Sequence, residues 1–164
     1  ASIYNCDQIE IGDNSRIDDF CILSGKIKIG RYCHITPMCL LAGGEPGIII
    51  GDFSTFAYGV KVFSQSDDYS GETMVNSLIP KRYKNEYFAP VHISEDVIVG
   101  AGSIVFPGVC LKEGSSIGSM SLVLKSTKAW GVYVGIPAKR IKERSKRLLI
   151  LKEKFLRELS NDTF

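Results

Sequence analysis

Three carboxylates lie close together in the stretch S-D-D-Y-S-G-E: Asp67, Asp68 and Glu72. A carboxylate with an ordinary pKa of about 4 is a poor base for an alcohol, but it binds an ammonium group and can accept a proton as an amine attacks. The stretch is therefore a candidate site for an amine substrate. The alternative is a turn-rich loop without a catalytic role, because Asp, Ser and Gly are common turn residues.

The rest of this segment mixes basic and aromatic residues. Arg82, Tyr83 and Tyr87 suit a sugar nucleotide, which presents a diphosphate to cations and a base to aromatic rings. A long stretch without periodicity is typical of a functional loop. An oligomer contact explains any single one of these residues equally well.

Two histidines are present, and His is a common general base near neutral pH. His34, in R-Y-C-H-I-T, is a candidate base, and His92, after Pro90, is a candidate substrate contact at the edge of a cleft. Each is equally well explained as a surface or structural histidine. No His or Cys cluster has ligand spacing, so we expect no metal.

A six-residue repeat must position these side chains. An aliphatic residue recurs at every sixth position near the C-terminal end of the chain: Ile93, Val99, Val105, Leu111, Ile117 and Val123. This period fits neither an α-helix nor a flat strand, and it is typical of a hexapeptide β-helix whose identical positions stack along the axis. We predict an all-β fold, a parallel β-helix with one C-terminal α-helix.

The repeat starts early and is interrupted twice. It runs from Ile11 to Leu41, slips by three across residues 43–47 and resumes at Ile50. We interpret the slip as a corner loop and the long interruption, residues 64–90, as a loop excursion. The predicted β-helix domain covers residues 1–137. Residues 138–164 are predicted as an amphipathic helix and tail, with the helix starting just after Pro137.

Composition and charge argue against several classes of function and location. The net charge of +2 conceals a basic segment between Lys139 and Glu158, with nine Lys or Arg against three acids. No aromatic-interleaved basic groove accompanies it, so we expect no nucleic-acid partner. No apolar run is long enough to span a membrane, and the N-terminal residues lack signal-peptide features, so we expect a cytoplasmic protein. Three cysteines fall in the small inward-facing column and are expected to be buried apolar residues: Cys21, Cys33 and Cys39.

The motif V-G-A-G-S-I-V-F-P-G-V, followed by V-G-I-P-A-K-R-I-K, resembles the hexapeptide-repeat acyltransferases. Within them it is similar to the galactoside, maltose and xenobiotic acetyltransferase branch and to sugar acyltransferases of surface-polysaccharide pathways. The resemblance covers residues 9–145. It implies left-handed winding, a homotrimer, and acetyl-CoA or another acyl-CoA bound in a cleft between two subunits.

The resemblance also implies the residues that contact the donor. The backbone at Ala101 and Ser119 would contact the pantetheine arm, and Leu124 and Lys125 would border the CoA. Two further lysines would reach its phosphates, where ammonium groups are needed: Lys139 and Lys142. The alternative for each side chain is an ordinary solvated face.

The catalytic position departs from that branch. A His after the central column acts there as the general base, whereas the matching position here is Asp67 and the loop contains no His. We predict Asp67 or Asp68 as the group that receives the proton, with the amine of a nucleotide-linked amino sugar as acceptor. One alternative is O-acetylation of a sugar hydroxyl with His34 as base. Another is a non-catalytic trimeric scaffold.

Overall fold

A computed structural model describes residues 1–161 as a coil of short strands followed by one helix. The strands are β1 (Ser2–Tyr4), β2 (Ile9–Ile11), β3 (Arg16–Ile17), β4 (Ile22–Ile29), β5 (His34–Ile35), β6 (Leu40–Ile50), β7 (Thr55–Phe56), β8 (Lys61–Phe63), β9 (Gln65–Ser66), β10 (Tyr87–Phe88), β11 (Val91–Ile93), β12 (Ile98–Val99), β13 (Ile104–Val105), β14 (Cys110–Leu111), β15 (Ser116–Ile117), β16 (Leu122–Val123), β17 (Gly131–Val134) and β18 (Lys139–Glu143). The helix is α1 (Arg147–Asn161), and two single 3₁₀ turns cover Cys6–Gln8 and Lys81–Tyr83. The predicted β-helix is confirmed, with about 7 turns.

The coil has three faces, which we name by their strands. Face 1 stacks β3, β5, β7, β12, β15 and β17; face 2 stacks β1, β8, β13 and β16; face 3 stacks β2, β11 and β14. The long strands β4 and β6 bend from face 2 into face 3 and so belong to both. Pairing within each face is parallel. We name the edges between faces corner 1–2, corner 2–3 and corner 3–1.

The aliphatic column fills the interior. Its members are almost completely inaccessible to solvent, for example Leu41, Phe56, Val99 and Leu111 at 0 % exposure. Burial of one such side chain contributes about 1.5–3 kcal/mol, and a column of them explains why the six-residue period is so strict. The three cysteines of the inward column are also buried, as predicted.

Two details of the predicted organisation are wrong. Residues 43–47 do not loop out: β6 continues through them and pairs irregularly with β4, because the extended backbone still finds partners on the preceding coil. The helix does not begin after Pro137. Instead β18 pairs antiparallel with β17, because the last coil offers an open strand edge, and the helix starts at Arg147.

Helix α1 runs back along corner 3–1. Phe155 contacts the stacked rings of Tyr32 and Phe53 edge-on, with ring centroids 5.5 and 6.5 Å away. Lys152 forms an ion pair with the buried carboxylate of Asp96, and Arg144 donates to the carbonyl oxygen of the same residue. The helix is thus held to its own chain by aromatic packing and by one partly shielded charge cluster.

Candidate active site

A pocket of about 350 Å³ lies at corner 2–3, where residues 64–90 leave the coil. The coil contributes Phe63 from β8 and Phe106 just after β13, and the excursion contributes polar and aromatic groups. Those groups are Ser66, Asp67, Tyr69 and Glu86. Aromatic walls with a few convergent polar groups are typical of small-molecule sites.

Two carboxylates are brought together in this pocket by a short antiparallel pair. β9 pairs with β10 so that Ser66 lies opposite Tyr87, and the next residue of each segment beyond this pair, Asp67 or Glu86, lines the pocket. The Asp67 side chain is exposed in the pocket, whereas Glu86 is largely shielded and lies 3.2 Å from the Lys84 ammonium group. Neighbouring carboxylates in a concave site attract a cation, so the pocket suits an ammonium group.

Glu86 was not predicted from the sequence. The sequence feature that could indicate Glu86 is the segment E-Y-F, which pairs with Q-S-D at the other end of the loop. The feature is recognisable only when these two segments are known to pair.

Asp68 has a different role from its neighbour. Its carboxylate accepts hydrogen bonds from the Ser70 backbone N–H at 2.8 Å and from the Thr73 hydroxyl at 2.7 Å. The bonds with Ser70 and Thr73 lower the pKa of Asp68 to about 2. A carboxylate held ionised by its own loop is a weak proton acceptor, so of the two predicted aspartates Asp67 is the better candidate base.

Both histidines lie on other faces of the coil. His34 is on face 1, where its Nε2 lies 2.8 Å from Asp18 Oδ2, and this bond with His34 is one of the contacts that lower the pKa of Asp18. His92 is exposed on face 3, beside Ile49 and Cys110. Neither histidine lines the pocket at corner 2–3.

The other predicted acceptor contacts lie around the pocket rather than in its wall. Glu72 is exposed further along the loop. Arg82 stacks its guanidinium 4.6 Å from the Tyr83 ring centroid, and Tyr87 has its hydroxyl over Gly108. Within residues 1–161, no group of three or more His, Cys, Asp or Glu side chains has the arrangement of a metal site.

Corner 1–2 presents free backbone donors. Ala101 and Ser119 occupy equivalent turn positions on adjacent coils, since the N–H of Met120 donates to the Ala101 carbonyl oxygen at 2.8 Å. In the described part of the chain, the N–H groups of Ala101 and Ser119 have no hydrogen-bond acceptor. Two unpaired N–H groups at equivalent positions of adjacent coils suit an extended ligand with amide carbonyls.

Leu124 and Lys125 lie at the opposite edge of face 2. They follow β16 just as Phe106 and Pro107 follow β13 one coil earlier, and both are exposed. They therefore extend the wall of the pocket by one coil. Lys139 and Lys142 are exposed on β18, where they pair with Val134 and Val132, so Lys139 lies nearer corner 1–2.

Known proteins similar to this chain place it among enzymes. No family model matches the sequence. It is 44% identical over 158 residues to dTDP-4-amino-4,6-dideoxy-D-glucose acyltransferase of Escherichia coli, covering 94% of this chain and 82% of that protein. The crystal structure of AntD, an N-acyltransferase from Bacillus cereus in complex with dTDP and 3-hydroxybutyryl-CoA, superimposes with a TM-score of 0.96 at 44% identity over 97% of this chain and 85% of that chain.

A more distant structure shares the fold alone. The hexapeptide-repeat acetyltransferase VCA0836 from Vibrio cholerae matches with a TM-score of 0.70 at 19% identity, over 84% of this chain and 74% of that chain. In residues 1–161, no helix is long and apolar enough to cross a membrane. The fold and the close relatives agree with the resemblance seen in the sequence, and the chain belongs to the hexapeptide-repeat, left-handed β-helix family of CoA-dependent acyltransferases.

Proposed function

We propose that this chain transfers an acyl group from acyl-CoA to the amino group of a dTDP-linked 4-amino-4,6-dideoxy sugar. The observation that carries the proposal is that two carboxylates, Asp67 and Glu86, line the same pocket at corner 2–3. The acceptor identity is supported by the E. coli relative and by AntD, whose complexes include dTDP and 3-hydroxybutyryl-CoA. The amine acceptor predicted from the loop carboxylates agrees with both.

The proposed reaction uses the carboxylates in succession. The substrate enters as an ammonium ion, which Asp67 and Glu86 bind. Asp67 then receives a proton, and the neutral nitrogen attacks the thioester carbonyl carbon. The nitrogen, which carries a positive charge after the attack, loses its second proton as the C–S bond of the tetrahedral intermediate breaks, and the departing CoA thiolate takes up that proton. The products are an amide and free CoA.

An amine needs less help than a hydroxyl in this reaction, because it is intrinsically more nucleophilic. The pocket wall includes carboxylates but no histidine, which disfavours O-acylation. His34, the base of that alternative, lies on face 1 with one ring nitrogen bonded to Asp18. The oxyanion of the intermediate needs a donor, and backbone N–H groups that line the cleft between subunits are the proposed source.

The donor site is proposed to lie between subunits of a homotrimer. The two groups of predicted CoA contacts sit on opposite edges of face 2: Ala101 and Ser119 at corner 1–2, Leu124 and Lys125 at corner 2–3. A donor that touches both groups fits best between the corner of one subunit and the face of the next. Lys139 would then lie further along the row of free N–H groups, near the CoA phosphates.

The oligomeric state is a direct check of this arrangement. Light scattering coupled to gel filtration should give three times the chain mass of 18.1 kDa. A monomer that still turns over acyl-CoA would contradict the shared donor site.

A cytoplasmic location is part of the proposal, since all five cysteines are free thiols, as expected in a reducing compartment.

Acceptor preference tests the proposed reaction. With acetyl-CoA or 3-hydroxybutyryl-CoA as donor, thiol release should require dTDP-4-amino-4,6-dideoxyglucose. The matched acceptor with a hydroxyl in place of the amine should react at least about 100-fold more slowly in kcat/KM, because the carboxylate pair is left without its cation. Faster turnover of the hydroxyl acceptor would contradict N-acylation. The absence of any thermal shift with acyl-CoA would favour a scaffold.

A further inference from the structure

A second pocket, of about 310 Å³, adjoins the first toward the N-terminal end of the coil. Its floor is the backbone of Gly25 and Gly44, which pair across adjacent coils. Both have positive φ, and a Cβ on Gly25 would collide with the Gly44 backbone. The bare backbone leaves a shallow polar floor at corner 2–3.

Three side-chain amides surround this floor: Asn5, Gln8 and Gln65. Among residues 1–161, none of these side chains has a hydrogen-bond partner. Asn5 is held in a left-handed conformation at the start of the 3₁₀ turn, and its carbonyl oxygen accepts from the Gln8 backbone N–H at 2.9 Å. The turn therefore fixes the relative positions of two amides whose donors and acceptors remain available for a ligand.

The rim carries a carboxylate that is paired with one ammonium group, and a second ammonium group lies close enough to act on that carboxylate. Glu45 lines the pocket and pairs with Lys26 at 2.6 Å. That bond, and more weakly the field of Lys81 in the long loop, lower the pKa of the Glu45 carboxyl. The two nearby ammonium groups suit a ligand that carries negative charge beside its hydrogen-bonding part.

The second pocket continues into the candidate active site. Ala42 and Gln65 line both pockets, and the Gln65 side chain lies over Gly44, where a Cβ would come within 2.9 Å of its Oε1. Two positions further along the chain, Asp67 faces the first pocket. One ligand can therefore reach from the carboxylates to the amides past Gln65.

We propose that this second pocket binds the pyrimidine base of the sugar nucleotide, with Asn5 and Gln8 hydrogen-bonded to its imide edge. The assignment rests on the proposed function, because it takes the acceptor to be a nucleotide-linked sugar. A thymine imide edge has one N–H donor between two carbonyl acceptors, and a side-chain amide offers both complementary groups. The sugar then lies at Asp67 and Glu86, with the diphosphate between, near Lys81.

The adenine end of acyl-CoA is the competing occupant, because amides also suit an adenine edge. It is disfavoured by position, since Ala101 and Ser119 lie at corner 1–2, and the proposed CoA contacts at corner 2–3 follow β16 near the C-terminal end of the coil, whereas the amides lie at its N-terminal end. The two ligands give opposite outcomes in the following experiment.

Gln8→Ala and Asn5→Gly test the assignment, the glycine being chosen because position 5 needs positive φ. Each variant should bind dTDP about 10-fold more weakly in calorimetry without acyl-CoA, because a bidentate amide contact is lost. The KM for the sugar nucleotide should rise by a similar factor, while kcat and the KM for acyl-CoA stay near wild type. Asn161→Ala, which removes an amide from helix α1, is the matched control and should bind dTDP as wild type does.

Several results would overturn the assignment. They are a wild-type chain that does not bind dTDP, variants that bind dTDP normally, or variants in which only the KM for acyl-CoA rises. The proposed function fails separately: if no amino-sugar nucleotide is acylated although dTDP binding is weakened in both variants, the base pocket stands and the reaction does not. Melting temperatures of the variants confirm that the proteins compared are folded.

Discussion

Replacing Asp67 with Asn is expected to lower kcat/KM for the amino-sugar acceptor by about 100- to 1,000-fold, within the range typical of losing a general base. Asn keeps the size and hydrogen-bonding capacity of the side chain but cannot accept the proton. Glu86 remains to hold the ammonium group, although its charge is shared with Lys84 at 3.2 Å. We therefore expect most of the loss in kcat and a smaller change in the KM for the acceptor.

Steady-state thiol release with saturating acyl-CoA measures this effect. Asp13→Asn makes the same chemical change at an exposed position near the Tyr32 turn, and it should leave both constants unchanged. The melting temperature of Asp67→Asn should match wild type, because within residues 1–161 the Asp67 carboxylate makes no hydrogen bond that holds the loop in place. If Asp67→Asn has the kcat of wild type, Asp67 is not the proton acceptor, and the amine must lose its proton to water.

The architecture was predictable because aliphatic residues recur with a period of six residues. Every sixth side chain points inward, and any polar residue in that column would be costly, so positions such as Val99 and Leu111 report the fold directly. Asp67 was selected as a candidate by comparison: the resemblance supplies a position where a His is expected, and the departure from it is visible in one sequence.

The remainder depended on which segments meet. Glu86 joins Asp67 only through the antiparallel pairing of β9 with β10, and no periodicity in residues 64–90 predicts that register. Lys139 and Lys142 were assigned to a helix because the sequence around them has an amphipathic pattern. In the structure they lie in β18, which pairs with the open edge of β17. In both cases tertiary pairing overrides the local pattern.

Replacing Gly100 with Ala is expected to disturb the stacking of the coils and the donor site together. A Cβ at this position would lie 2.5 Å from the Ser119 backbone nitrogen and 2.8 Å from the Ile117 carbonyl oxygen. These are backbone atoms of the next coil, and they cannot move aside alone. The bond from the Gly100 N–H to the Ile117 carbonyl oxygen, now 2.8 Å, must lengthen. We expect a loss of about 3 kcal/mol in unfolding free energy, at the upper end of typical overpacking.

Displacement of the Ser119 backbone nitrogen in Gly100→Ala should also weaken donor binding. Because the Ser119 N–H is a proposed contact to the pantetheine arm, the KM for acyl-CoA should rise about 10-fold, the effect of losing one hydrogen bond. The KM for the sugar nucleotide should not change, since its pocket lies at corner 2–3. Urea denaturation at fixed protein concentration and steady-state kinetics measure the two effects.

Gly59→Ala is the matched comparison. Gly59 lies at the same corner with φ +68°, and a Cβ there meets no atom within 4 Å. Its cost is therefore purely conformational, about 1 kcal/mol, with no change in the KM for acyl-CoA. If both substitutions destabilise the protein equally, backbone conformation rather than coil spacing governs this corner. If Gly100→Ala destabilises the protein but leaves the KM for acyl-CoA unchanged, the pantetheine arm does not depend on the Ser119 N–H, and the donor must lie elsewhere on the coil.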